Sequence, residues 1–290
     1  MPVSYCHSKI FVKQFIQQFF MKNVFLRYKL SRMKKPLILV TNDDGITAPG
    51  LRALVSYMKE IGEVVVVAPD SPQSGMGHAI TIDNTLYSKE VKIDLDDENT
   101  KEYSCSGTPA DCVKLALQEL LERKPDLCVS GINHGSNSSI NVIYSGTMSA
   151  AIEAGIEGIP AIGFSLCDYN WDANFDHAKE AIQKIVHEAL ENGIPTGVVL
   201  NVNIPKLDKK QIKGIKICRQ ARANWKEKFD KRTSPMGKDY YWLTGEFELL
   251  DKGEDTDEFA LSKGYISVVP TQFDLTAHHA IQTINNWNLK

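Results

Sequence analysis

Two adjacent carboxylates, Asp43 and Asp44, stand just beyond the apolar run Leu37-Ile38-Leu39-Val40, bracketed by Thr41-Asn42 and Gly45. Like charges side by side repel and neither gains from entering a core, so folding alone does not ask for them there. At the carboxyl end of a buried strand they can hold a hard divalent cation, in the crevice where open α/β sheets take their ligands. The plainer alternative is a capped loop leading into a helix near Gly50-Leu51-Arg52, because Asn and Asp are common turn formers.

Other polar loops fall at the same end of the expected sheet. The run Pro69 to His78 follows Val64–Ala68, and Ser130-Gly131-Ile132-Asn133-His134-Gly135-Ser136-Asn137 follows Leu127–Val129. Asp43, Asp44, the Ser74 hydroxyl and the Asn133 amide oxygen form an all-oxygen set. Such a set suits Mg2+ or Mn2+, with waters completing the coordination, and does not suit zinc. Ser145-Gly146-Thr147 opens a helix and offers N–H groups, hydroxyls and the positive dipole end to an anion. A cation beside a helix N-terminus is an arrangement for phosphate esters.

The remaining candidates have ordinary explanations beside the functional ones. Thr108-Pro109-Ala110-Asp111 reads as an N-capped helix start. His78 and His134 lie in the right loops to donate to a phosphate or act as general acid, against the alternative of solvated loop histidines. His278-His279 reads as surface. No G-x-x-x-x-G-K-[ST] occurs, which excludes a P-loop NTPase. No G-x-G-x-x-G follows the first strand, which removes the dinucleotide fingerprint.

The elements that must position these groups alternate in a βαβ rhythm. Strands are expected at Leu37–Val40, Val64–Ala68, Leu127–Val129, Ala161–Phe164 and Gly197–Val202. Helices are expected at Leu51–Ile61, Cys112–Leu121, Met148–Ala154 and Phe175–Leu190. Near-continuous valines at 64–67 are typical of a strand covered on both faces. The fold class is therefore α/β, a Rossmann-like, mostly parallel sheet flanked by helices. Residues 79–106 alternate apolar and polar (Ile80, Ile82; Val91, Ile93, Leu95) and suggest an antiparallel excursion. From Ile215 onward, short strands and aromatics (Trp225, Tyr240, Tyr241, Trp242, Phe247) suggest either a hairpin arm packing on a neighbouring subunit or a β-layer on the same subunit.

The chain has 290 residues, 43% hydrophobic and 24% charged, with a net charge of −3. That balance argues against a general grip on duplex nucleic acid, which needs a strongly basic face. Residues 1–32 hold six basic and no acidic residues, so the body is more acidic than the whole. Their basic, aromatic stretch could be a targeting or membrane-surface helix, but it lacks the apolar length of a spanning segment. The preferred reading is an extension outside the fold from an upstream start, with Met33 as the natural beginning. None of the six cysteines has C-x-x-C spacing; they read as small buried hydrophobes in a reducing compartment.

Taken together, LILVTNDDGITAPG, VVVAPDSPQSGMGHAIT, CSGTPADCVKLA, DLCVSGINHGSN and YSGTMSAAIEA resemble the SurE family of stationary-phase survival proteins, metal-dependent 5'/3'-nucleotidases. NVNIP at 201–205 and the late GYISVVPTQFDLTA extend the resemblance, which runs from about Met33 to about Ala277. It implies a single domain at 33–290, with a C-terminal arm at about 215–290 swapped between subunits of a dimer or tetramer. It places metal ligands at Asp43, Asp44, Ser74 and Asn133, and phosphate-side residues at Asn137 and Ser145-Gly146-Thr147. It also implies that Asn42 orients the carboxylates. The expected activity is cytoplasmic hydrolysis of nucleoside monophosphates by metal-assisted attack of water, without a membrane or nucleic-acid partner. An aspartyl-phosphate on Asp43 is the alternative step. The rival readings are a nucleotide-binding regulatory module without turnover and a metal-dependent glycosyl transferase.

Overall fold

The computed structural model describes residues 35–94, 97 and 100–289. The expectations for residues 1–32, and for Leu95 in the alternating stretch, lie outside the described residues. The first strand, β1 (Leu37–Thr41), carries its side chains alternately to two cores. Ile38 and Val40 join one apolar cluster, whereas Leu37 and Leu39 join the other. That alternation is the period-2 geometry of a strand buried on both faces.

Helix α1 (Pro49–Lys59) lies against the first cluster through Leu51, Leu54, Val55 and Met58, with Pro49 at its first turn. Strand β2 (Glu63–Pro69) pairs parallel to β1. Strands β3 (Ser88–Val91) and β4 (Lys101–Cys105) form the antiparallel excursion, β4 returning parallel to β2. Ile80 and Ile82, expected in that alternation, are exposed and outside any strand. Helix α2 (Pro109–Leu115) begins in a full capping box, Thr108 and Asp111 each satisfying the other's backbone N–H. It ends in one π-helical turn over Ala116–Leu120, where a continuous helix was expected.

Strand β5 (Leu127–His134) is longer than its apolar run, because the polar residues to His134 remain paired with β6 (Ala161–Leu166). Between these strands lies α3 (Gly146–Ile156). Helix α4 (Lys179–Asn192) leads to β7 (Val198–Ile204). The short β8 (Ile215–Ile217) is followed by β9 (Ala223–Thr233) and β10 (Asp239–Leu249). Helix α5 (Asp257–Ser262), β11 (Ile266–Gln272) and α6 (His278–Asn285) complete the described chain.

The sheet has nine strands in the order β3-β4-β2-β1-β5-β6-β7-β11-β8. From β1 the chain runs one way to β2 and β4, then resumes on the other side of β1 at β5. The order reverses between β1 and β5, so a crevice opens beyond their carboxyl ends, as in other doubly wound sheets. Asp43-Asp44 leaves β1 there and Asn133-His134 ends β5 there. Strands β9 and β10 form a separate two-stranded ribbon, eleven residues each and longer than expected. Phe229, Tyr241, Trp242 and Leu243 on it are exposed.

The crevice depends on one close approach. A Cβ on Gly50, in the first turn of α1, would lie 2.0 Å from the Ile132 carbonyl oxygen of β5. Gly50→Ala is therefore expected to push α1 off β5 and lower stability by about 2 kcal/mol or more, read from urea unfolding. An unchanged midpoint would show that this contact does not constrain the crevice.

Candidate active site

The loop after β1 is fixed before it is functional. The Asn42 side-chain Nδ2 donates to the Gly45 carbonyl at 3.0 Å, closing the turn. Gly45 takes φ +101, which favours glycine, and the Ile46 N–H donates to Pro69 O at 2.8 Å. Asn42 thus shapes the loop, and no hydrogen bond joins it to either carboxylate among the described residues.

Asp43 is 4% exposed, against the expectation that neither carboxylate would enter the interior. The Thr147 hydroxyl donates to Asp43 Oδ1 at 2.5 Å, and the Thr147 backbone N–H also supports the carboxylate. A Cβ on Gly146 would sit 2.6 Å from the Asp43 Cβ, so only glycine lets the amino end of α3 close on Asp43. Burial, and then the neighbouring Asp44 charge, raise the Asp43 pKa to about 7, opposed by Thr147. Burial also raises Asp44, whose Oδ2 accepts the His134 N–H at 3.3 Å. Among the described residues no Lys or Arg forms an ion pair with either group.

The other expected ligands come from two loops. The Gln73 N–H donates to the Asp43 carbonyl at 2.7 Å and ties the loop carrying exposed Ser74 to the turn. Asn133 donates its side-chain Nδ2 to the Gly135 carbonyl at 2.8 Å, which leaves its amide oxygen as a free acceptor. One extra residue in β5 between Ser130 and Asn133 makes a bulge against β6. It changes which side chains the end of the strand presents. Among the described residues no three His, Cys, Asp or Glu side chains converge, so any bound cation must rely on Ser and Asn oxygens besides Asp43 and Asp44. One buried and one half-buried carboxylate without a cationic partner, beside neutral oxygen donors, fit a hard divalent cation.

The phosphate-side expectations divide. Ser145 is the N-cap of α3, its Oγ accepting the Met148 N–H at 3.0 Å, so its proton is free to donate elsewhere. Thr147 was expected to face a phosphate with its hydroxyl; that hydroxyl is committed to Asp43 instead. Asn137 is buried, with its N–H on Asn203 Oδ1 at 2.8 Å, its carbonyl accepting from Asn201 Nδ2 at 2.8 Å, and its own Nδ2 on Ser165 Oγ at 2.9 Å. Asn203 Nδ2 in turn donates to Asn201 Oδ1 at 2.9 Å. This network was not read from the sequence. Its signal was available: Asn201 and Asn203 recur two apart in an apolar strand, on one buried face.

Both loop histidines have side-chain partners in the structure. His78 Nε2 lies 2.8 Å from Glu153 Oε2, and Lys114 pairs with the other carboxylate oxygen, Oε1. His134 contributes its backbone N–H to Asp44 while its ring Nδ1 meets the Asn170 carbonyl at 2.8 Å. Asp111 caps α2 and also binds Thr81. His278 and His279 are exposed, as expected.

Two measurements test this geometry. Asn203→Ala is expected to cost about 1–3 kcal/mol by stranding the Asn137 N–H; full stability in urea would show the loop is held otherwise. In chelator-treated protein, Asp43 binds its proton more tightly folded than unfolded. Its contribution to stability therefore falls as pH rises from the ordinary 3.8 towards about 7. Asp43→Asn removes that slope and is expected to gain on the order of 1–3 kcal/mol above neutral pH. Parallel pH profiles for parent and variant would contradict the burial argument.

Residues 38–227 match the family model described as Survival protein SurE. The chain is 71% identical over 257 residues to the 5'-nucleotidase SurE of Flavobacterium psychrophilum, covering 89% of this chain and 99% of that protein. It is 70% identical over 256 residues to that of Christiangramia forsetii, covering 88% and 98%. The crystal structure of the SurE protein from Aquifex aeolicus superposes with a TM-score of 0.74 at 42% identity, covering 86% of this chain and 98% of that one. The chain belongs to the SurE family.

Proposed function

We propose that the protein is a divalent-metal-dependent 5'-nucleotidase that releases phosphate from nucleoside 5'- and 3'-monophosphates by attack of water. The observation that carries this reading is the closure of the α3 amino end on buried Asp43, a helix N-terminus suited to an anion beside a carboxylate suited to a cation. The printed name of the highly identical relatives, 5'-nucleotidase SurE, points the same way. In this reading Asp43, Asp44, Ser74 and Asn133 hold one Mg2+ or Mn2+ per subunit. A cation so held supplies Lewis-acid polarisation of the phosphoryl group and orients the attacking water.

The chain's own groups do the rest. The Ser145 hydroxyl and the Gly146 N–H receive the phosphate oxygens, where the positive end of the helix dipole adds to their attraction. Asn137, pinned by Asn201, Asn203 and Ser165, contributes its remaining side-chain oxygen-side surface to that pocket wall. Thr147 keeps the Asp43 carboxylate in place and is a positioning residue. Because Asp43 already accepts from Thr147, its commitment to that geometry favours water over Asp43 as nucleophile.

The wider reading is a cytoplasmic homodimer or homotetramer built on a single domain at 33–290, its arm at about 215–290 exchanged between subunits. The exposed aromatics of the β9–β10 ribbon support an arm that packs elsewhere. None of the described helices is long and apolar enough to cross a membrane.

Phosphate release from a panel of nucleoside monophosphates with Mg2+, Mn2+ or EDTA tests the reading. Metal-dependent release is expected; tight nucleotide binding without release would support the regulatory-module alternative. Asp43→Asn is expected to lower kcat/KM about a thousandfold or more, with the fold retained. A phospho-enzyme trapped on acid quench would replace water by Asp43 as nucleophile. Thr147→Val is expected to raise the metal concentration for half-activity about ten- to a hundredfold.

A further inference from the structure

The loop joining β6 to α4 carries two large aromatics at the surface, Tyr169 at 73% and Trp171 at 57% exposure. The loop is tied down. Asp168 Oδ1 accepts Lys206 at 2.9 Å and the Asn170 N–H at 3.1 Å, and the Ala173 N–H returns to the Asn170 carbonyl at 3.2 Å. Exposed aromatic faces on a rigid loop are apolar area left in water, which folding alone does not favour.

Their position relates them to the candidate site. The Trp171 ring stacks on the His134 ring, with centroids 5.2 Å apart and planes at 15°. His134 packs edge-on, at 5.2 Å, against buried Phe175, and its backbone N–H donates to Asp44. The stack is therefore anchored in the core at Phe175, touches the carboxylate turn through His134, and ends in a free indole face. Tyr169 lies over Gly135: a Cβ there would meet its ring at 2.3 Å, so the glycine admits the ring to the backbone. Both aromatics thus border the segment that runs from Asn133 to Asn137.

We propose that Trp171 and Tyr169 form the platform on which the nucleobase of the substrate stacks. This rests on the reading that nucleoside monophosphates are the substrates. The base is the flat, apolar-faced part of such a molecule, and the phosphate end is already accounted for at α3. Stacking on an aromatic plane is tolerant of base identity because every base has a π-face. The platform therefore raises affinity for nucleosides over base-free phosphate esters and discriminates weakly among bases.

The test compares Trp171→Ala, Trp171→Phe and Tyr169→Ala with the parent, using a nucleoside 5'-monophosphate and ribose 5-phosphate, which carries the same ester without a base. Trp171→Ala is expected to raise KM for the nucleotide about tenfold or more, with kcat within about twofold and ribose 5-phosphate kinetics little changed. Trp171→Phe is expected to restore most of the loss. Equal effects on both substrates would show that Trp171 acts through His134 on the carboxylate turn, and would overturn the platform. So would an unchanged KM, or a changed oligomeric state with normal KM. Equilibrium dialysis with the same nucleotide separates this proposal from the hydrolase reading. Binding lost in Trp171→Ala, in a parent that binds without turnover, would retain the platform and reject hydrolysis.

Discussion

The bond from the Thr147 hydroxyl to buried Asp43 is the interaction on which the rest of the site depends. A carboxylate beside a second carboxylate is costly to bury, and no basic side chain among the described residues offsets it. The protein offsets part of that cost with Thr147 and its backbone N–H, at the positive end of α3. Gly146 makes the arrangement possible, since any side chain there would collide with Asp43. Stability is given up locally to concentrate negative charge there, a familiar trade at functional sites.

The surroundings of this pair are organised by topology and by a polar core. Parallel β1 and β5 end side by side at the reversal of strand order, which brings Asp44 to the His134 N–H. Behind them, Asn201 and Asn203 of β7 satisfy the backbone of Asn137, and Asp257 of α5 accepts the Ser139 and Ala221 N–H groups. Buried loops carry backbone groups that must be paired, and here asparagine side chains serve as substitutes for a neighbouring strand. The segment 133–139 is rigid because distant parts of the chain converge on it.

Farther out, the molecule leaves aromatic area uncovered in two places with different characters. The β9–β10 ribbon, outside the nine-stranded sheet, exposes Tyr241, Trp242 and Leu243, while Trp171 stacks on a residue touching Asp44. The first is exposed area on a ribbon outside the main sheet. The second continues the site outward, from charge to flat apolar faces.

By itself the sequence determined the βαβ order, the two-faced burial of β2, and the capping of α2 by Thr108 and Asp111. These are local: periodicity, caps and glycine positions report on neighbours a few residues away. The sequence also placed Asp43, Asp44 and Ser145-Gly146-Thr147 at strand and helix ends, since polar residues there interrupt apolar runs. Only the tertiary structure decided that Thr147 turns to Asp43, that His78 is taken by Glu153, and that β5 continues through a bulge to His134. It alone revealed the asparagine network under Asn137 and the stack of Trp171 on His134. Each of these pairs groups tens of residues apart, and which partner a polar side chain finds depends on which strands and helices pack together, a choice no local pattern records.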